Sequence, residues 1–187
     1  MSLFRRLTIL GLVIVIVACA PQGALRSPPA SSQQTPATTT APNPIDIPCV
    51  QTSHGCIALN PDVTEATIEQ TICVSGYTKS VRPGTTYTNG IKAKLLREAG
   101  EVSSRMAAYE LDHLIPLAVG GHPRKLSNFM LQPWDGDNSA TEKDRLEVRL
   151  QHRVCRHEMD LAAAQHCIAE NWQACAASLA AGRALPP

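Results

Sequence analysis

Apolar positions along the chain fall into distinct regimes, and each regime predicts its own structure. From Leu7 to Val17 they are continuous. From Pro21 to Pro44 large apolar groups almost vanish. Beyond that they recur with local periods. The stretch from Asn60 to Cys73 reads as a loop and then a short helix capped by Thr64 or Asp62. Gly76 to Gly84 reads as irregular, with a turn at Arg82-Pro83-Gly84. Thr88 or Asn89 caps a helix through Ile91, Leu95, Leu96 and Ala99, and Gly100 stops it. Tyr109 to Ile115 and Leu126 to Leu131 are short and extended, separated by the Gly120-Gly121 break. Pro133 to Asp137 is a loop leading to a long helix from about Ser139 to Cys155. Asp160 caps a last helix carrying Leu161, Ala164, Ile168 and Trp172 at helical spacing. The sum is an α+β domain, mostly helical, with one small hairpin feeding a helix.

The continuous apolar run is too short for an ordinary membrane span, and Arg5 and Arg6 precede it. Residues 1–18 therefore read as a signal peptide. Ile16-Val17-Ala18-Cys19 resembles a bacterial lipobox, which implies lipidation of Cys19. Ordinary cleavage after Ala20 would put Pro21 just past the cut, a poor substrate geometry. With Ala20 rather than Asp after the cysteine, the resemblance implies outer-membrane sorting, with the protein facing the periplasm. Residues 19–45 bury too little to offset their ordering entropy and read as a flexible tether. Residues 46–187 have the length of one domain.

Charge limits what that domain does alone. Three of the seventeen Lys and Arg (Arg5, Arg6, Arg26) precede it, leaving fourteen against all sixteen acids, a formal net of −2. Such a surface does not coat nucleic acid by bulk electrostatics, so any contact needs a local patch. Setting Cys19 aside, Cys49, Cys56, Cys73, Cys155, Cys167 and Cys175 remain. An even count in an exported domain predicts three disulfides, and fifteen pairings are open. The expectation adopted is two local staples, Cys49–Cys56 and Cys167–Cys175, with Cys73–Cys155 tying front to back. The alternative is a zinc site from Cys155, His157, His166 and Cys167, without any CxxC pair to support it.

The chemistry concentrates in Tyr109-Glu-Leu-Asp-His-Leu-Ile-Pro-Leu-Ala-Val-Gly-Gly121, then Asn128, then the polar start of the helix after Asn138. An Asp-His pair alone is a common dipeptide. Followed by Pro116 and Gly120-Gly121, it resembles the HNH endonucleases, whose site is a ββα-metal finger. The resemblance covers roughly residues 109–147. It implies that His113 is the general base, a role its near-neutral pKa suits. It implies that Asp112 binds a divalent metal, Mg²⁺ or else Mn²⁺, and that Asn128 holds the loop. The family's usual Cys-x-x-Cys-His-x-x-Lys run is missing here. Ala140 stands three residues before Lys143, so Asn138 is the nearest replacement ligand and Glu147 a second.

At about 100° per residue, Ala140, Lys143, Asp144 and Glu147 share one helix face, which Leu150 and Val154 continue into the core. Lys143 is thus a further candidate at the site edge, while Asp144 reads as solvated. Arg145, Arg149, Arg153 and Arg156 form a basic stripe on the opposite side, read mainly as a solvated face. Lys79, Arg82, Lys92, Lys94, Arg124 and Lys125 are vaguer candidates for backbone contacts. Trp134 and Trp172 read as core. The resulting expectation is a lipid-anchored, metal-dependent endonuclease for DNA, or RNA, with little sequence preference and no protein partner. The rivals are a non-catalytic envelope lipoprotein and a DNA-binding lipoprotein.

Overall fold

A computed structural model describes residues 47–186 of the 187-residue chain. The expected signal peptide (1–18), the expected lipidation site Cys19 and the expected tether (19–45) lie outside the described residues. Helices outweigh two small antiparallel sheets, a mixed α and β architecture. No helix among the described residues is long and apolar enough to cross a membrane.

The first sheet has no counterpart in the sequence reading, which expected one hairpin. Strands β1 (Cys49–Thr52) and β2 (Gly55–Ala58) pair around the two residues Ser53-His54. Their register places Gln51 opposite Cys56, and the Cys49–Cys56 disulfide closes the same hairpin. Four-residue strands do not hold in water by themselves. Here the turn is fastened to the last helix, where the Glu170 carboxylate accepts from the backbone N–H and hydroxyl of Ser53 at 3.1 and 2.6 Å.

A 3-10 turn at Glu65–Gln70 follows, entered where Thr67 Oγ1 accepts the Thr64 N–H at 2.8 Å. Helix α1 (Tyr77–Val81) occupies part of the stretch expected to be irregular. Helix α2 (Thr85–Glu98) begins a turn before Thr88, because the extended Gly84 supplies the cap. Gly100, at φ +71°, ends it as expected.

Strands β3 (Tyr109–His113) and β4 (Phe129–Pro133) then pair antiparallel, with His113 opposite Phe129 and Asp112 opposite Met130. Helix α3 (Ala140–Cys155) comes next in the chain. Its buried stripe is Ala140, Lys143, Leu146, Leu150 and Val154, a helical spacing. All but Lys143 meet the apolar core, where Ile115, Val119 and Ile168 also lie.

Helix α4 (Leu161–Ala180) is broken at Asn171, whose backbone is extended. Its side-chain Oδ1 accepts the Ala174 N–H at 2.9 Å and caps the second segment. The break explains a disulfide. Cys167 and Cys175 lie eight residues apart, which an unbroken helix would separate by about 12 Å. Their Cα atoms are 5.3 Å apart. Cys73–Cys155 is the third bridge and spans 82 residues. All three pairings match the expectation. They also remove the zinc alternative, since the sulfurs of Cys155 and Cys167 are bonded to other cysteines. Three disulfides are consistent with an exported protein.

Candidate active site

Strand alternation and register divide the candidate residues between two faces. Glu110 and Asp112 on β3 share one face with their opposite numbers Gln132 and Met130. Leu111 and His113 share the other with Leu131 and Phe129. Asp112 and His113 therefore part company. The carboxylate turns toward α3, while the imidazole lies against Phe129 with ring centroids 4.6 Å apart.

On the α3 side, the Lys143 ammonium is completely buried. It donates to Asp112 Oδ2 at 2.8 Å, to the His113 carbonyl oxygen at 2.7 Å and to Glu147 Oε1 at 2.5 Å. An ammonium has three N–H groups, and each has an acceptor. Burial alone would lower the Lys143 pKa, but the two carboxylates outweigh it and the net shift is upward. For Glu147, burial outweighs the pull of Lys143 and, with the charge of Asp112 added, pushes the carboxyl up to about 7. Asp112 Oδ1 accepts the backbone N–H of His113 at 2.7 Å. Lys143 and Asp112 thus clamp the His113 peptide from its carbonyl and its N–H.

Asn128 fastens the loop that follows. It is fully buried, its Oδ1 accepts the Ile115 N–H at 2.8 Å, and its Nδ2 donates to the carbonyls of Ile115 and His122, each at 3.0 Å. The chain comes so close here that a Cβ on Gly121 would stand 1.7 Å from the Ile115 carbonyl oxygen and 2.7 Å from Asn128 Nδ2. Only glycine fits there.

His113 is 4 % exposed. Its Nε2 lies 3.4 Å from the Pro123 carbonyl oxygen. A carbonyl only accepts, so a hydrogen bond here needs the tautomer with the proton on Nε2, in which Nδ1 keeps its lone pair. Burial, only partly offset by the Pro123 contact and the charge of Asp112, lowers the pKa to about 4. The ring is neutral at neutral pH.

His113 lines a cleft of about 260 Å³ between α2 and the β3–β4 hairpin. Arg82, Thr88, Asn89 and Lys92 form the opposite wall. Trp134, expected in the core, is instead exposed at this cleft, because β4 ends one residue before it and the chain turns outward. Helix α2 is tied to the loop beyond His113, where the Tyr87 hydroxyl donates to the Arg124 carbonyl at 2.6 Å.

Glu110 also borders the cleft, and the sequence reading passed over it. Its signal was available: two residues before Asp112 in a strand is the same face. Glu110 Oε2 and Gln132 Oε1 are buried, directly opposed residues whose oxygens have no hydrogen-bond partner. Burial, then the charges of Asp112 and Asp144, raise the Glu110 carboxyl to about 7.

The proposed metal ligands are not assembled. Asn138 is exposed, its Oδ1 accepts from Gln173 Nε2 at 2.7 Å, and its carbonyl accepts from Gln132 Nε2 at 3.1 Å. It holds the loop to α4. The space between Asp112 and Glu147 is filled by the Lys143 ammonium. Among the described residues, no group of three or more His, Cys, Asp or Glu side chains is placed to hold a metal ion. The donor set as it stands does not fit a divalent ion. The α3 arginines face away, with Arg145 engaged by Glu142, and Arg156 just past the helix is engaged by Glu158 on the surface. No family model, curated protein or solved structure matches this chain.

Proposed function

We propose that the protein is an exported, lipid-anchored endonuclease that cleaves phosphodiester bonds of DNA, and of RNA, with little sequence preference. The reading rests on one observation: the buried imidazole of His113 lines a cleft walled by Arg82 and Lys92. His113 Nδ1 takes the proton from the attacking water. Arg82 and Lys92 hold the phosphate and offset charge that develops on its oxygens. Asn128 and Gly121 fix the loop. The run of hairpin and α3 supports a ββα finger as the scaffold. Cys19 is the proposed lipidation site, placing the domain at the periplasmic side of an outer membrane.

The non-catalytic envelope lipoprotein remains the second reading. It is favoured by Lys143, which fills the position where the family pattern calls for a metal.

Plasmid nicking by the oxidised full-length protein tests the proposal, with Mg²⁺, Mn²⁺ or EDTA, beside His113→Ala. Cleavage that disappears in the variant supports it. A folded wild type that nicks under none of these conditions points to the binding protein.

A further inference from the structure

Three oxygens converge on a single point between β3 and α3. They belong to the Asp112 carboxylate, the His113 backbone and the Glu147 carboxylate, at 2.8, 2.7 and 2.5 Å. Two carboxylates and a carbonyl at one point form the kind of donor set that binds a hard cation. The point is occupied by Lys143 Nζ. Its side chain is fully buried on α3. From these contacts we infer that Lys143 is the built-in cation of this site and that the Asp112–Glu147 pair takes up no divalent metal.

A divalent ion at this point would have to displace an ammonium that uses all three of its N–H groups. The displaced charge would have no other partner in a buried position, which is strongly unfavourable. Lys143 is also fully buried, unlike a surface lysine whose ammonium stands in solvent. The carboxylates therefore serve to hold an internal charge and, through it, the His113 peptide. The inference deepens the nuclease reading, since it makes the proposed cleavage independent of metal at this position. Exclusion of metal by Lys143 does not itself require the protein to be a nuclease.

The test is Mn²⁺ titration of the oxidised full-length protein, read by electron paramagnetic resonance and calorimetry. Wild type is expected to bind no Mn²⁺ at this site up to millimolar concentration. Lys143→Ser removes the ammonium and leaves room for an ion. It is expected to gain one Mn²⁺ site at least tenfold tighter than anything in wild type, abolished again when Glu147→Gln is added. Stoichiometric Mn²⁺ binding by wild type that Asp112→Asn abolishes would overturn the inference. If Lys143→Ser does not fold, the wild-type titration beside Asp112→Asn still decides it. Activity does not enter this readout, so failure of the nuclease reading would appear separately, as absent nicking by a protein whose Mn²⁺ behaviour is known.

Discussion

Lys143 Nζ donates to the carbonyl oxygen of His113 at 2.7 Å, so a fully buried charge grips the backbone of the candidate base. Removing that charge leaves two largely buried carboxylates without their cation. Lys143→Met keeps much of the volume and loses all three hydrogen bonds. The expected cost is about 3–5 kcal/mol, by analogy with broken buried ion pairs. Urea unfolding of the oxidised protein at pH 7 checks it. Arg149→Met, on the exposed side of the same helix, is the control and should fall within about 0.5 kcal/mol of wild type.

Stability should respond to pH in two opposing ways. Glu110 and Glu147 have folded pKa values raised to about 7, above the ordinary carboxyl value. In that window the folded state holds more protons, so their contribution falls as pH rises from about 4.5 to 7 and is flat above. His113 is lowered from 6.5 to about 4. Its contribution is full above pH 6.5 and is lost as pH falls toward 4. With two carboxyls against one imidazole, wild type should lose stability from about pH 4.5 to 6.5 with a net slope of about one proton. Glu110→Gln removes one downward slope and should gain stability relative to wild type at pH 8 compared with pH 4.5. Denaturation midpoints at several pH values measure this. An unchanged difference between the two pH values would mean that Glu110 ionises normally.

Asn128 bridges three backbone groups in a fully buried position. Asn128→Ala leaves an N–H and two carbonyls without partners, and unsatisfied buried groups cost about 1–3 kcal/mol each before relaxation. A loss on the order of 3 kcal/mol is expected. Gly121→Ala should be at least as damaging, because its Cβ would overlap backbone rather than a movable side chain. Hydrogen exchange at Ile115, whose N–H the asparagine binds, should accelerate in Asn128→Ala beyond what global stability predicts.

The two hairpins show which parts of this fold the sequence displays. The β3–β4 hairpin and α3 are legible because glycine breaks, extended runs and a helical apolar stripe follow one another. The β1–β2 hairpin is not, because strands of four residues carry no pattern. A disulfide and Glu170, 117 residues away from Ser53, hold it. The site divides in the same way. Asp112, His113 and Asn128 are marked by local spacing. Arg82, in the turn before α2, and Lys92 line one cleft with His113 only because this part of the chain packs against the hairpin, a tertiary fact. Lys143 was legible as a residue on the inner face of α3. What it would bind there was not, since that depends on which strand face carries Asp112.

The disulfides differ in the length of chain they close. Cys73–Cys155 spans 82 residues and Cys167–Cys175 spans 8. In the chain-entropy account, such loops contribute about 4.5 and about 2.5 kcal/mol respectively. Replacing Cys73 and Cys155 together by Ser should lower stability more than replacing Cys167 and Cys175. The second pair should instead loosen the joint at Asn171, seen as faster hydrogen exchange in α4.

The cleft makes a prediction about nucleic acid that the α3 arginines do not. If Arg82 and Lys92 hold the phosphate, Arg82→Ala and Lys92→Ala should each weaken binding to a short duplex. Each should also flatten the salt dependence by about one counterion, the number a single neutralised phosphate releases. Arg149→Ala and Arg153→Ala should leave both unchanged, because that stripe lies on the far side of α3. His113→Ala should retain binding and lose cleavage. The acid limb of kcat/KM should lie near the lowered pKa of about 4, not near 6.5, because the base is already deprotonated across the neutral range. Fluorescence anisotropy against salt and a cleavage profile from pH 4 to 8 read these out together. An acid limb at 6.5 would place the base elsewhere, and equal losses from the cleft and the stripe would mean that binding is not confined to the His113 face.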